Sequence, residues 1–102
     1  MPVTLHVMYP VGKDTTFDDA YYAGTHMDLV DTHMGSHIQD VFATKGIAGG
    51  PDTPPGFHAI ATFVFADQAA LDAALGAAGP VLADIPNFTN STPAMLIGQT
   101  YG

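Results

Sequence analysis

The chain contains no cysteine, tryptophan, glutamate or arginine. Without cysteine it can form no disulfide, thiolate nucleophile, zinc–thiolate site or cysteine-ligated iron–sulfur cluster. Without arginine it lacks the side chain that normally recognises a carboxylate or phosphate in a bidentate manner. The chain is therefore not a cysteine-dependent enzyme or a cysteine-ligated metalloprotein, and it cannot use arginine to recognise a carboxylate or phosphate ligand.

Positive charge is also scarce. Lys13 and Lys45 are the only cationic side chains apart from histidine, against ten aspartates, and the formal net charge is −8. Nucleic-acid binding normally begins with lysine or arginine neutralising phosphates, so this composition disfavours it. We therefore predict no nucleic-acid partner and a small organic ligand that is neutral or apolar, although backbone amides could still hold a small anion.

The chain is apolar for its size. Of 102 residues, 47% are hydrophobic and only 12% are charged, which is more apolar surface than one small core needs. Such a surplus is typically buried in an oligomer interface or used as a binding patch. We predict one domain spanning residues 1–102 that forms a homodimer.

No apolar run approaches the roughly 20 residues of a membrane span, and the first residues lack the basic and apolar regions of a signal peptide. We therefore expect a cytoplasmic protein with no membrane partner.

The pattern along the chain predicts four strands and two helices. The predicted strands are 3–9, 37–45, 57–65 and 94–101; the predicted helices are 17–31, after a Thr16 N-cap, and 67–78, after an Asp67 cap, with a short helical turn at 81–83. Segment 46–56 has four glycines and three prolines, which indicates a loop. The order is β-α-β-β-α-β.

This order predicts an α+β, ferredoxin-like fold with a four-stranded antiparallel sheet and both helices on one face. The uncovered face needs a partner, and two such sheets packed face to face would form a dimeric α+β barrel. RNA-recognition modules share the order, but a chain of this charge would repel RNA.

Alternation along the strands separates two sets of side chains. In the first strand, Val3, Leu5, Val7 and Tyr9 are predicted to form the helix-covered core, which places His6 on the other face. His58 falls on the same face of the third strand. We predict that His6 and His58 lie together and bind ligand between the paired sheets; the alternative is that both are interface residues whose hydrogen bonds are satisfied by water or backbone.

Tyr22, His26, Leu29 and His33 recur at intervals of four, three and four, which places them along one stripe of the first helix. Such a stripe can face a ligand, or it can be core packing with a hydrogen-bonded histidine at its edge.

Histidines and aspartates between positions 26 and 37 also suggest a metal site. The run His26, Asp28, Asp31, His33 and His37 does not match H-E-x-x-H, and Gly35 is predicted to end the helix before His37. We assign no metal ligand and no cofactor.

Several motifs together resemble a known family. They are Tyr9-Pro10, the spacing Phe17-x3-Tyr21-Tyr22-x3-His26-x2-Leu29, the block Ala83-Asp84-Ile85-Pro86-Asn87-Phe88-Thr89, and Leu96-Ile97-Gly98. The combination resembles the EthD family over nearly the whole chain.

The resemblance implies a bacterial dimeric α+β barrel associated with oxidative degradation of ethers such as ethyl tert-butyl ether, beside a cytochrome P450 system. It implies His26 as a proton donor or general base with Tyr22 nearby, so both are predicted catalytic residues. Phe17, Tyr21, Leu29 and Phe88 are predicted to contact ligand. Two departures from the family pattern, Asp28 in place of a frequent proline and missing basic residues after the helix, put a shared substrate in doubt.

Two main functional hypotheses follow. One is a small-molecule-binding protein of oxidative metabolism with oxidoreductase activity, similar to a cofactor-free monooxygenase. The other is a non-catalytic carrier or accessory subunit with an oxygenase partner. A third, haem or metal binding through a histidine, predicts a coloured or metal-containing preparation.

Overall fold

The computed structural model describes residues 2–101, so Met1 and Gly102 of the predicted domain lie outside the described residues. The strands are β1 (Val3–Pro10), β2 (Asp40–Lys45), β3 (Phe57–Phe65) and β4 (Ala94–Gln99). The helices are α1 (Asp19–Tyr21), α2 (Met27–Met34), α3 (Gln68–Gly76) and α4 (Gly79–Asp84). A π-helical segment, Tyr22–His26, joins α1 to α2, and 3-10 turns lie at Gly35–His37 and Ile85–Asn87.

The four strands form one antiparallel sheet in the order β2-β3-β1-β4. β1 is therefore central, with β3 on one side and β4 on the other. This arrangement confirms the predicted ferredoxin-like fold.

The two faces of the sheet follow the alternation predicted for β1. Val3, Leu5, Val7 and Tyr9 are each at most 8% exposed and lie under the helices, which defines the helix-covered face. The opposite face, called the open face below, has no helix over it within the described residues and carries half-buried side chains such as Met8 and Ile60. The predicted separation of core and open-face residues in β1 is correct.

The first helix begins later than predicted. Asp18 caps it by accepting a hydrogen bond from the Tyr21 backbone N–H at 3.1 Å, so the cap is not Thr16. Phe17 is instead held in an isolated β-bridge with Thr89, which prevents it from starting the helix.

The helix also ends later than predicted. Gly35 has helical dihedral angles and begins a 3-10 turn instead of ending the helical conformation. As a result, β2 starts at Asp40 instead of position 37. In the second half, α3 is shorter than predicted, and the predicted turn at 81–83 belongs to the six-residue helix α4, which has Pro80 in its first turn.

The loop between β2 and β3 follows its glycine and proline content. Gly46 donates a backbone hydrogen bond to His58 O at 2.9 Å, and a Cβ at Gly46 would collide with the Phe57 carbonyl oxygen. Only glycine permits this close approach.

By length and apolarity, none of the helices in residues 2–101 could cross a membrane alone, although α3 and the helical stretch Gly79–Asn87 pass that test as one bent pair.

Candidate functional site

A buried histidine–aspartate pair lies between the first helix and α4. His26, at the end of the π-helical segment, is 4% exposed, and Asp84, the last residue of α4, is 7% exposed. Their Nδ1 and Oδ2 atoms are 3.0 Å apart. The pair joins two helices that are 58 residues apart in sequence.

Two more groups hold the Asp84 carboxylate. The Tyr21 hydroxyl donates to Oδ1 at 2.7 Å, and the Asn87 amide donates to the same oxygen at 3.0 Å. The hydrogen bond from Tyr21 is the main cause that lowers the pKa of Asp84 below its usual value, with Asn87 and His26 adding to it against the opposing effect of burial. Asp84 is therefore an ionised acceptor near neutral pH.

This carboxylate fixes the state of the imidazole. Because ionised Asp84 can only accept, the neutral form of the His26 imidazole carries its proton on Nδ1 and has a free lone pair on Nε2. Within residues 2–101, Nε2 has no hydrogen-bond partner. An acceptor nitrogen supported by a carboxylate on the other side of the ring is the arrangement of a general base.

Aromatic rings enclose the imidazole. The His26 ring stacks on the Tyr22 ring, with centroids 5.5 Å apart and an interplanar angle of 17°. The centroid of the Phe88 ring is 4.6 Å from that of His26. Phe17 and Tyr9 extend this cluster through Tyr22 and Phe88. The rings restrict the orientation of His26 and shield the pair from water.

The Tyr22 hydroxyl is buried with no hydrogen-bond partner in the described part of the chain. Burial raises the pKa of Tyr22 to about 12. It also raises the pKa of Tyr9, with the charge of Tyr22 contributing. Both tyrosines are therefore neutral at physiological pH.

A cavity of about 80 Å³ lies between the helix-covered face and the helices. Tyr22 and His26 line one part of it, and most of the other lining residues are aliphatic side chains or methionines, among them Val7, Val30, Met34 and Val81. Leu75, Leu82 and Met95 also line it and are 39–48% exposed, so they mark its mouth. The cavity is thus an apolar space with the imidazole of His26 on its wall.

The pocket predicted between the paired sheets of a dimer stays a prediction, and the cavity within one chain lies elsewhere. This cavity is under the helices and not on the open face, and the small side chains Ala61 and Ala78 are among the residues that line it. Of the eight predicted site residues, only Tyr22 and His26 line it. Tyr21 reaches Asp84, and Phe17 and Phe88 pack around the two lining rings.

The expectation that His6 and His58 lie together is wrong. His6 pairs with Thr62 in the sheet and hydrogen-bonds its hydroxyl at 3.1 Å, whereas His58 is four residues farther along β3. Four residues of strand correspond to about 13 Å. His58 instead hydrogen-bonds Thr15 at 2.9 Å and stacks on Phe17.

The predicted helix stripe is also only partly correct. Leu29 and His33 are half-buried, and Leu29 packs at the edge of the core. The buried stripe runs through Tyr22, His26, Val30 and Met34 instead, so Leu29 contributes packing and does not line the cavity.

Asp84 and Asn87 were missed as site residues. A signal was present, since an aspartate at the C-terminal end of a short apolar helix is unfavourable for the helix dipole unless other groups hold it. No spacing rule connects it with His26, because their contact depends on how the helices pack.

Within residues 2–101, no group of three or more histidine or acidic side chains is arranged to hold a metal ion.

Comparison with known proteins identifies relatives. Residues 12–92 match the EthD domain. No curated protein matches the chain significantly.

Solved structures agree with this match. An EthD-like protein from Ralstonia eutropha is 33% identical with a TM-score of 0.86, covering 96% of this chain and 90% of that one. An ethyl tert-butyl ether (EthD) family protein from Bacillus halodurans is 21% identical with a TM-score of 0.75, covering 99% and 100%. SnoaB, a cofactor-independent oxygenase from Streptomyces nogalater, is 12% identical with a TM-score of 0.62, covering 98% and 95%, and it shows similarity of fold alone.

Proposed function

The chain belongs to the EthD domain family, and we propose that it binds a small neutral or apolar organic molecule in the cavity under its helices and transfers a proton through His26. In this proposal the protein acts in the oxidative degradation of ethers or related compounds. The observation that carries it is the free Nε2 of a buried, carboxylate-supported histidine on the wall of an apolar cavity.

The chemistry assigned to each residue follows from its contacts. His26 Nε2 takes a proton from the bound molecule, and Asp84 stabilises the imidazolium that forms. Tyr21 and Asn87 keep Asp84 ionised and in position. Tyr22 orients the imidazole by stacking, which makes it a positioning residue rather than a proton donor.

Proton transfer of this kind suits oxidation without a bound cofactor, in which dioxygen as the oxidant accepts electrons from the substrate anion that remains after His26 removes the proton. SnoaB has the same fold and is a cofactor-independent oxygenase, which makes such chemistry compatible with this architecture. A shared fold does not choose the reaction, so the oxidoreductase assignment rests on the His26 site.

We further propose that the working unit is a homodimer joined through the open face. This face carries half-buried Ile60 and Val64, and Phe42 and Leu96 are 52% and 56% exposed. An apolar sheet face of this kind is normally covered by another layer. A second copy of the chain would cover this face and form the dimeric α+β barrel that the family resemblance implies.

The runner-up function is a non-catalytic carrier or accessory subunit of an oxygenase system. The observation that favours it is that the His26–Asp84 bond also clamps the first helix to α4, a purely structural task. An apolar cavity with one polar group suits retention of a ligand as well as its conversion.

Native mass spectrometry of the purified protein tests binding and assembly together. We expect a mass of two chains plus a retained organic molecule. An empty monomer that takes up none of a panel of small ethers, alcohols and ketones would contradict the proposal.

A variant then separates the two functions. The His26→Gln variant retains a polar side chain of similar size without a strong base, so a catalytic role predicts that ligand is still bound while its conversion is lost. The matched control is His33→Gln, because His33 is half-buried in the last turn of α2 and does not line the cavity. If the wild-type protein returns every bound ligand unchanged, with and without candidate oxygenase partners, it is a carrier.

A further inference from the structure

We propose that the cavity recognises its ligand through a hydroxyl group that donates a hydrogen bond to His26 Nε2, and that it discriminates against the isomeric ether. The ligand class is then a compact, neutral alcohol. This inference rests on the proposed function, since it specifies what the same cavity binds: an alcohol related to ether degradation rather than the ether itself.

The first step of the argument is the direction of the hydrogen bond. Asp84 accepts from the Nδ1–H of His26 at 3.0 Å, which leaves Nε2 of the neutral imidazole as an acceptor only. An alcohol can donate to this nitrogen, whereas an ether has only acceptor lone pairs. A bound ether would therefore leave Nε2 removed from water without a donor, which is unfavourable in an apolar site.

The tyrosines do not alter this preference. The Tyr22 hydroxyl is shielded from the cavity, with less than 1 Å² exposed. Any tyrosine that donates to the ligand oxygen does so equally for an alcohol and for an ether. The acceptor Nε2 is the group that discriminates between them.

The size of the cavity limits the ligand. An engineered apolar cavity of roughly 150 Å³ holds benzene, and the cavity here is about 80 Å³. A molecule of roughly three to five non-hydrogen atoms is the corresponding size. Met27, Met34 and Met95 line the cavity, and their flexible side chains allow small adjustments around such a molecule.

The charges around the cavity favour a neutral ligand. Asp84 accepts hydrogen bonds from Tyr21, His26 and Asn87 and does not line the cavity, so it is not placed to pair with a cationic ligand. A carboxylate ligand would enter a chain of net charge −8 with no lysine on the cavity wall. Burial of either charge without a partner is costly.

A matched series of three probes tests the proposal. Butan-2-ol and methyl isopropyl ether are isomers, and 2-methylbutane has the same number of non-hydrogen atoms without oxygen. Dissociation constants are measured by titration of the methionine methyl signals in NMR. We expect butan-2-ol to bind about tenfold more tightly than the ether, the effect of one hydrogen bond.

The Asp84→Asn variant is the decisive comparison. Tyr21 and Asn87 both donate to Oδ1, so the carbonyl oxygen of the new amide should occupy that position and its NH2 group should face Nδ1 of His26. The imidazole would then carry its proton on Nε2 and become a donor, which either probe can accept. We expect the tenfold preference to fall to about one, while the control Asp72→Asn, on the exposed surface of α3, keeps it.

Each outcome decides between the two proposals. Equal binding of alcohol and ether to the wild-type protein, or an unchanged preference in Asp84→Asn, would overturn the hydroxyl assignment but leave a ligand-binding cavity. Absence of binding by all three probes would overturn the proposed function as well. The bulky alcohol 2-adamantanol should not bind, and affinity equal to that of butan-2-ol would overturn the size limit.

Discussion

The helix-covered face and the open face of the sheet are made from alternating residues of the same strands, yet they differ in how completely one chain buries them. On β3, Phe63 and Phe65 are 4% and 0% exposed beneath the helices. On the open face, Ile60 and Val64 of the same strand are half-buried. The comparison separates two situations: one face completes the core and the cavity, and the other keeps apolar side chains that this chain covers only in part.

The largest effect should come from removing a large side chain from the helix-covered face. We expect Phe65→Ala to lower the free energy of unfolding by about 3–5 kcal/mol, because it creates a cavity in a fully buried position. The matched change Phe42→Ala, on the open side of β2, should cost about 1 kcal/mol or less in a monomer. Urea denaturation at low concentration measures both. Equal losses would show that the two faces do not differ in burial.

A charge on the open face should act on assembly rather than on folding. Leu96→Asp places a carboxylate opposite His6 on this face. We expect the dimer dissociation constant to rise at least hundredfold, about 3 kcal/mol, since the carboxylate of each subunit would lose its hydration in an apolar interface. Light scattering after size-exclusion chromatography measures it, with Ala69→Asp on exposed α3 as the control. A dimer unaffected by Leu96→Asp would locate the interface elsewhere.

Under the helices, Asp84→Asn should cost about 1–2 kcal/mol of unfolding free energy at pH 7, because it removes a charged acceptor from three hydrogen bonds. The pKa of Asp84 is lowered in the folded protein, mainly by Tyr21. The stabilising contribution of the ionised Asp84 carboxylate is therefore fully present above the unfolded pKa of about 3.9. It is lost as the pH falls through the lower pKa of the folded state. Denaturation measured from pH 7 down to pH 2 should show that the difference in unfolding free energy between the wild-type protein and Asp84→Asn decreases below about pH 4. An advantage that grows in this window would contradict the assignment.

The smallest effects distinguish two neighbouring tyrosines. Tyr21→Phe removes the hydrogen bond to Asp84 and should lower the free energy of unfolding. Tyr22→Phe removes a buried hydroxyl that has no partner within the described residues, so stability should stay within about 0.5 kcal/mol or increase. A large loss in Tyr22→Phe would indicate that its hydroxyl binds a water or a ligand.

The fold could be predicted because its signals are local. The alternation of Val3, Leu5, Val7 and Tyr9 assigns the two faces of β1, and the order of elements assigns the sheet topology. The start of the first helix could not be predicted from Thr16 and Phe17, because a long-range bridge to Thr89 decides it.

The candidate site was predictable only in part. Tyr22 and His26 follow from helix spacing and from the family resemblance. The contact of His26 with Asp84 depends on the packing of α4 against the first helix, and the cavity depends on the volumes of side chains from several elements. Neither quantity has a period in the sequence, so residue spacing alone could not locate this cavity.

The π-helical turn between Tyr21 and Met27 makes the site sensitive to the length of the chain. In this turn the Met27 backbone N–H bonds to the Tyr22 carbonyl, five residues earlier, which accommodates one more residue than an α-helical turn. Deleting exposed Gly24 should let the segment close as a continuous α-helix and rotate Tyr21 about 100° around the axis relative to His26. The Tyr21–Asp84–His26 arrangement would then separate although every one of its side chains is retained. Single-residue insertions and deletions in this turn are therefore a route by which related chains can lose or gain the site without substituting any of its members.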